Sequence, residues 1–213
     1  SLQNALYTID SNREVVSFIS QMKIDKNDKA LKEPTKYIGR TFTKDNAEAL
    51  SKRYKWIIKE QEKNQWRRVV PSPNPLYIFN GRSIKHLVDF GTIVIAGGGG
   101  GIPSYNTSNG SLRGLDGVVD KDKTAALLGR IIRAEEYFII TDVDNIYLNY
   151  NKSNQRKIDK ITSNKLKQKL ADGHFGVGSM EPKIKSALYF LKHHGHKVVI
   201  TSIDKIQDAI LGK

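Results

Sequence analysis

The sequence predicts an α/β fold: a parallel sheet with helices on both faces. Three observations predict it. Short, largely apolar runs recur at residues 92–96 (TIVIA), 137–141 (YFIIT) and 197–201 (KVVIT). Each run gives way at its C-terminal end to glycine or polar residues, and helix-length amphipathic stretches lie between them. Strands without polar alternation are buried on both faces, and parallel neighbours need a crossover long enough for a helix.

The elements follow in order. Leu2, Ala5, Leu6 and Ile9 recur at i, i+3, i+4 and i+7, the stripe of an amphipathic helix. Residues 13–24 (REVVSFISQMKI) are β-rich, and 24–39 (IDKNDKALKEPTKYIG) are polar and turn-rich, broken by Pro34 and Gly39. Residues 43–63 read as one helix with Thr43 as N-cap. Residues 66–75 (WRRVVPSPNP) carry three prolines at alternate positions, which excludes helix and central strand and marks a link between a small subdomain and a larger one. Beyond it come a helix over 83–90 stopped by Gly91, the strand 92–96, a helix over 121–134, the strand 137–141, a helix over 182–193 with proline in its first turn, the strand 197–201 and a helix over 204–211.

Composition narrows function. The chain has 213 residues, 38% hydrophobic and 27% charged, which suits a real core. It has no cysteine, so disulfides, thiol nucleophiles and cysteine-based zinc sites are excluded. No apolar run approaches the ~18 residues of a membrane span, and no charged-then-apolar leader opens the chain. The expectation is a cytoplasmic protein without a membrane partner. Lys plus Arg number 35 against 22 Asp plus Glu, a formal charge of +13. That excess suits a phosphate-bearing ligand or nucleic acid. It is mostly lysine spread along the whole chain rather than arginine interleaved with aromatics, so nucleic acid is not the expected partner.

Ligands of open parallel sheets bind beyond the carboxyl ends of the strands. Five glycines, residues 97–101, follow the first apolar strand. Backbone without side chains lets a phosphate approach closely, which singles out Gly98, Gly99 and Gly100. In VVDKDKTAALLGRII, Lys121 and Asp122 stand at a helix start, where a phosphate and a positioning carboxylate meet; the alternative is an ordinary charged first turn. In FIITDVDNIY, a buried strand delivers Thr141, Asp142 and Asp144 to its end, with Tyr147 following. Two acids two apart either bind a metal or cap a turn. In GHFGVGSMEPK, Gly178 and Met180 precede a helix start that carries Lys183. The histidines His86, His174, His193, His194 and His196 have no metal-binding spacing, and no residue is assigned as a metal ligand.

These segments, with IDKNDKALKEPTKYIG, WRRVVPSPNP, LVDFGTIVIAGGGGGIP and FIITDVDNIYLNYNKSNQ, resemble the carbamate kinases of the amino-acid kinase superfamily over nearly the whole chain. The resemblance implies a three-layer αβα sandwich with a mainly parallel sheet and a small protruding subdomain. It implies phosphoryl transfer between ADP/ATP and carbamoyl phosphate/carbamate with Mg2+, of the arginine deiminase pathway type, and a homodimer. Lys121 then neutralises phosphate charge, Asp122 orients catalytic groups, and Lys183 stabilises the transferring phosphoryl. Thr141, Asp142, Asp144, Tyr147 and Gly178 lie on the nucleotide side, Met180 flanks the base, and Lys26 closes on carbamoyl phosphate.

Complete members of that family begin with a further N-terminal third, which holds a Gly-Gly-Asn-Ala turn and a Gly-Asn-Gly-Pro-Gln loop. Neither occurs in these 213 residues. The resemblance therefore implies a fold incomplete at its N-terminus. Residues 1–14 are the remnant of an N-terminal-domain helix, 15–75 a lid-like substrate subdomain and 76–213 a nucleotide-binding domain. The isolated chain is expected to be inactive unless a separately encoded N-terminal piece completes it. The second reading is a degenerate or split fragment acting as a nucleotide-binding or interaction module. Glu181, Lys29 and Asn145 depart from the family pattern, and Glu181 sets a negative charge near Lys183.

Overall fold

The structure is a computed structural model and describes residues 2–176 and 179–212. In chain order the elements are α1 (Leu2–Ile9), β1 (Val15–Ser17), β2 (Gln21–Ile24), β3 (Lys36–Phe42), α2 (Lys44–Tyr54), β4 (Ile58–Glu62), β5 (Gln65–Val70), β6 (Pro75–Ile78), α3 (Gly81–Asp89), β7 (Ile93–Ile95), β8 (Ile102–Asn106), β9 (Leu112–Gly114), α4 (Lys121–Ile132), β10 (Glu136–Thr141), β11 (Ile146–Leu148), β12 (Arg156–Ile158), α5 (Ser163–Ala171), α6 (Met180–Lys192), β13 (Lys197–Ser202) and α7 (Ile206–Ile210). They group into two compact units. One comprises Ser1–Val16, Asn80–Val94 and Asp122–Lys213; the other comprises Ser17–Phe79 and Ile95–Lys121. This grouping is discontinuous in sequence, because residues 95–121 return to the unit that contains β2.

In the first unit β10 and β13 pair in parallel, from Glu136 opposite Lys197 to Thr141 opposite Ser202. The register brings both carboxyl ends to the same level. Ile139 and Ile200 from these strands, Leu166 from α5, Phe175 from the turn after α5 and Ile184 from α6 form the core, with Tyr137, Met180, Leu188 and Val198 packed against it. Hydrophobic burial of this kind stabilises by roughly 1.5–3 kcal/mol per large side chain. A short antiparallel pair, β11 with β12, stands beyond the end of β10. The apolar stripe of α1 forms a helix as its spacing predicts, but none of its residues is buried. The predicted strand at 92–96 forms as β7 and is half-buried rather than fully enclosed.

In the second unit one sheet runs β6-β2-β8-β9. There β2 pairs parallel with β8 and antiparallel with β6. Met22, Ile24 and Ile78 are its large buried apolar residues, and Pro103 and Ser104 of β8 are also buried. Pro75 opens β6, an edge strand, where the missing N–H costs nothing. A second sheet, β3-β5-β4, is antiparallel, with α2 beside it burying Ala47. Its central strand β5 takes in Trp66–Val70, so the exclusion of a central strand over 66–75 holds only for the proline-bearing residues 71–75. One helix expectation is corrected here. The helix predicted over 43–63 stops at Tyr54, where Lys55 takes a left-handed φ of 57° as its C-cap. Ile58–Glu62 is a strand paired with β5. No glycine or proline marks the break, and the pairing partner that favours a strand lies in the following segment.

Candidate functional site

The first unit holds a cavity of about 460 Å³. Its lining includes Thr141 and Asp142 from the end of β10, Tyr147 from β11, Met180 and Lys183 from α6, and Tyr150, Lys152, His174 and Phe175 from the intervening turns. The first five of these were singled out from sequence as site residues. The parallel register delivers Thr141 to the carboxyl end of the sheet, and the i, i+3 spacing puts Met180 and Lys183 on one face of α6. The Thr141 hydroxyl donates to Asp142 Oδ1 at 2.9 Å. The rings of Tyr147 and Tyr150 meet at 5.7 Å and 42°, an aromatic wall beside the apolar surface of Phe175 and Met180.

Lys183 joins the cavity to a charged pair. Its Nζ donates to Asp122 Oδ2 at 3.2 Å, and the two side chains are only 14% and 9% exposed. Asp122 is the second residue of α4, and its carbonyl accepts from the Tyr137 hydroxyl at 3.2 Å. A cation held this way has one face on a carboxylate and the other toward the cavity. That arrangement suits a phosphoryl oxygen, because a preorganised charge costs no rearrangement when the ligand arrives.

The remaining sequence candidates lie elsewhere. Asp144 does not line the cavity: its carboxylate accepts from Ser202 Oγ at 2.5 Å and its carbonyl from Thr201 Oγ1 at 3.2 Å. It ties the loop after β10 to the end of β13. Lys121 is the exposed first residue of α4. Gly178 lies outside the described residues. In the second unit, Lys26 sits exposed in the turn after β2. The glycine run there makes a turn in which Gly100 N–H donates to Gly97 O at 2.8 Å, while Gly97 N–H donates to Ser20 Oγ at 2.8 Å. A Cβ on Gly100, at φ +134°, would stand 1.8 Å from the Val119 carbonyl oxygen, so close packing alone demands glycine there. Gly98 and Gly99 face open space.

Some groups escaped the sequence reading. Lys36 Nζ lies 2.6 Å from Asp120 Oδ2, a carboxylate with only 10% of its side chain exposed, across 84 residues of chain. Tyr150, Lys152 and His174 sit inside the segments quoted for the family resemblance, yet only the fold shows them facing one cavity. Glu181 does not compromise Lys183 directly, since its Oε1 engages Lys185 Nζ at 2.5 Å one turn along α6.

The Amino acid kinase family matches residues 21–202, and the chain belongs to that family. Within it, carbamate kinases are among the curated relatives. Carbamate kinase 2 of Staphylococcus epidermidis and carbamate kinase 3 of Staphylococcus aureus are each 42% identical over 214 residues, covering 100% of this chain and 69% of theirs. Among solved structures, carbamate kinase from Giardia lamblia bound to AMP-PNP has a TM-score of 0.85 at 36% identity, covering 100% of this chain and 67% of that one. The chain thus spans about two thirds of the length of these relatives. The family resemblance and the amino-acid kinase fold read from sequence are both borne out, and the chain is a carbamate kinase-like phosphotransferase.

Proposed function

We propose that the chain serves the reaction ADP plus carbamoyl phosphate to ATP plus carbamate, in arginine breakdown of the deiminase type. The observation that carries this reading is the shielded Asp122–Lys183 pair opening onto a cavity that also presents Thr141, Asp142, Tyr147 and Met180. Phosphoryl transfer asks for positioning and positive charge more than for covalent chemistry. The carbamoyl oxygen–phosphorus bond breaks as a β-phosphate oxygen of ADP bonds to the same phosphorus. Lys183 meets the charge on the phosphoryl oxygens, and Asp122 keeps its ammonium aimed. Lys121 supplies a second cation at the start of α4. Tyr147 and Met180 flank the base, while Thr141 and Asp142 offer polar partners to the nucleotide. Lys26 and the turn at Gly98, Gly99 and Gly100 are assigned to carbamoyl phosphate.

Among the described residues no group of three or more His, Asp or Glu side chains is placed to hold a metal ion. Asp142 is the carboxylate of the cavity lining. This donor set fits Mg2+ that arrives on the nucleotide phosphates with at most one protein ligand, as is common for that ion. When bound, Mg2+ neutralises phosphate charge.

The isolated chain is assigned low turnover. Removing a single oxyanion donor costs about 3–4 kcal/mol in the best-studied cases, and two phosphate-holding loops of the family are missing from these residues. A separately encoded N-terminal piece and a homodimer remain part of the proposal. The nucleotide cavity lies wholly in the first unit, which favours a second reading in which the chain binds nucleotide without turnover. Coupled assay of ATP formation, together with calorimetric titration of ADP, separates the two. Robust turnover by the 213-residue chain refutes the assignment of inactivity. Absence of ADP binding refutes the cavity assignment.

A further inference from the structure

We propose that His174 is a positioning residue that latches the turn at residues 149–152 to the segment 173–176 and so sets the nucleoside end of the cavity; this rests on the nucleotide reading above. The two segments meet through a reciprocal pair of contacts. Asn149 N–H donates to the His174 carbonyl at 3.1 Å, and His174 Nδ1 lies 3.0 Å from Asn149 Oδ1. With the amide oxygen as acceptor, Nδ1 carries the hydrogen and donates. Nε2 points toward Asp172 Oδ2 at 3.9 Å, a carboxylate that also faces Lys169 Nζ at 3.7 Å.

The latch bears on the cavity because of what each side carries. The turn presents Tyr150 and Lys152 to the cavity, and Tyr150 completes the aromatic wall with Tyr147. The 173–176 segment leads to α6, which carries Met180 and Lys183. Within itself the turn is closed by Lys152 N–H to Asn149 O at 3.0 Å and Asn151 N–H to Gln155 Oε1 at 2.8 Å, but these bonds do not tie it to the 173–176 segment. It hangs on a hairpin of only three residue pairs, and both Asn149 and Asn151 are held in left-handed conformations, at φ 52° and 60°. The strands of this short hairpin are held on the core through Ile146, Leu148 and Ile158, so a cross-link beyond them acts on the position of the tip.

The test is calorimetric titration of ADP into the 213-residue chain and its variants, with hydrogen exchange of the amides at 149–152. His174→Ala is expected to weaken ADP binding by about tenfold, the scale of one lost hydrogen bond, and to speed exchange in the turn. His174→Asn places an N–H where the ring Nδ1 was and restores most of the affinity. His174→Gln, which mimics Nε2, does not. Unchanged ADP affinity in His174→Ala, against a wild type that binds, overturns the latch alone. Equal loss in the Asn and Gln variants also overturns it. A wild-type chain that binds no ADP overturns the nucleotide reading and the proposal with it.

Discussion

Replacing Asp122 with alanine removes the carboxylate that faces the Lys183 ammonium at 3.2 Å in a place largely closed to water. Both side chains are less than 15% exposed, 14% for Lys183 and 9% for Asp122, so solvent screens the pair little. Breaking a buried pair by deleting one partner costs about 3–5 kcal/mol, because the other charge stays buried. The residual exposure of Lys183 argues for the lower end, about 3 kcal/mol. For a chain of this size each kcal/mol moves the melting temperature by about 2–4 °C, which gives a fall of about 6–12 °C. Lys183→Ala produces a loss of similar size. The double variant loses clearly less than the two singles added together, with a coupling of at least about 1.5 kcal/mol. Thermal melts and urea titration of the four proteins give the cycle. Single losses below about 1 kcal/mol that simply add would show that the pair is solvated and held by nothing particular, and the role given to Asp122 as the group that aims Lys183 would fall with it.

Other perturbations have equally definite outcomes. Gly100→Ala forces a Cβ toward the Val119 carbonyl at a φ of +134°, so the second unit is expected to lose soluble yield or several degrees of melting temperature, whereas Gly99→Ala, which meets open space, leaves both nearly unchanged. Ser202→Ala removes the donor to the Asp144 carboxylate and loosens the loop after β10, which Thr201 Oγ1 still holds at the Asp144 carbonyl, and titration should show ADP binding several-fold weaker at little cost in stability. Lys36→Met takes away the 2.6 Å partner of the largely buried Asp120 and is expected to destabilise by about 1–3 kcal/mol in urea, while Lys36→Arg recovers part of it. Lys185→Met releases Glu181, more than half of whose pair is open to water on the lysine side; stability should change by less than about 0.5 kcal/mol, while ADP binding weakens modestly and most at low salt.

Much of the fold was legible because local pattern and burial agree. The apolar runs at 137–141 and 197–201 became β10 and β13, as apolar strand runs predict, with Ile139 and Ile200 buried while Ile140 stays 37% exposed. The proline in the first turn and the apolar spacing of α6 marked that helix, and the carboxyl-end rule then led to Thr141, Asp142, Tyr147, Met180 and Lys183. The segment 43–63 misled because its alternating charged residues fit a helix face and a solvent-facing edge strand equally well; pairing with β5 chose between them.

The sequence by itself determined the fold class, the family and five side chains of the cavity, because periodicity, strand ends and helix starts are local signals carried by adjacent residues. Only the tertiary structure decided which charges meet. Lys183 pairs with Asp122 across 61 residues, Lys36 with Asp120 across 84, Ser202 with Asp144 across 58, and His174 with Asn149 across 25. It also showed Asp144 anchoring the loop after β10 to Ser202, and Gly100 required by the Val119 carbonyl. The physical reason is that a hydrogen bond or ion pair needs placement to within a fraction of an ångström, and that placement is set by packing between distant segments rather than by spacing along the chain.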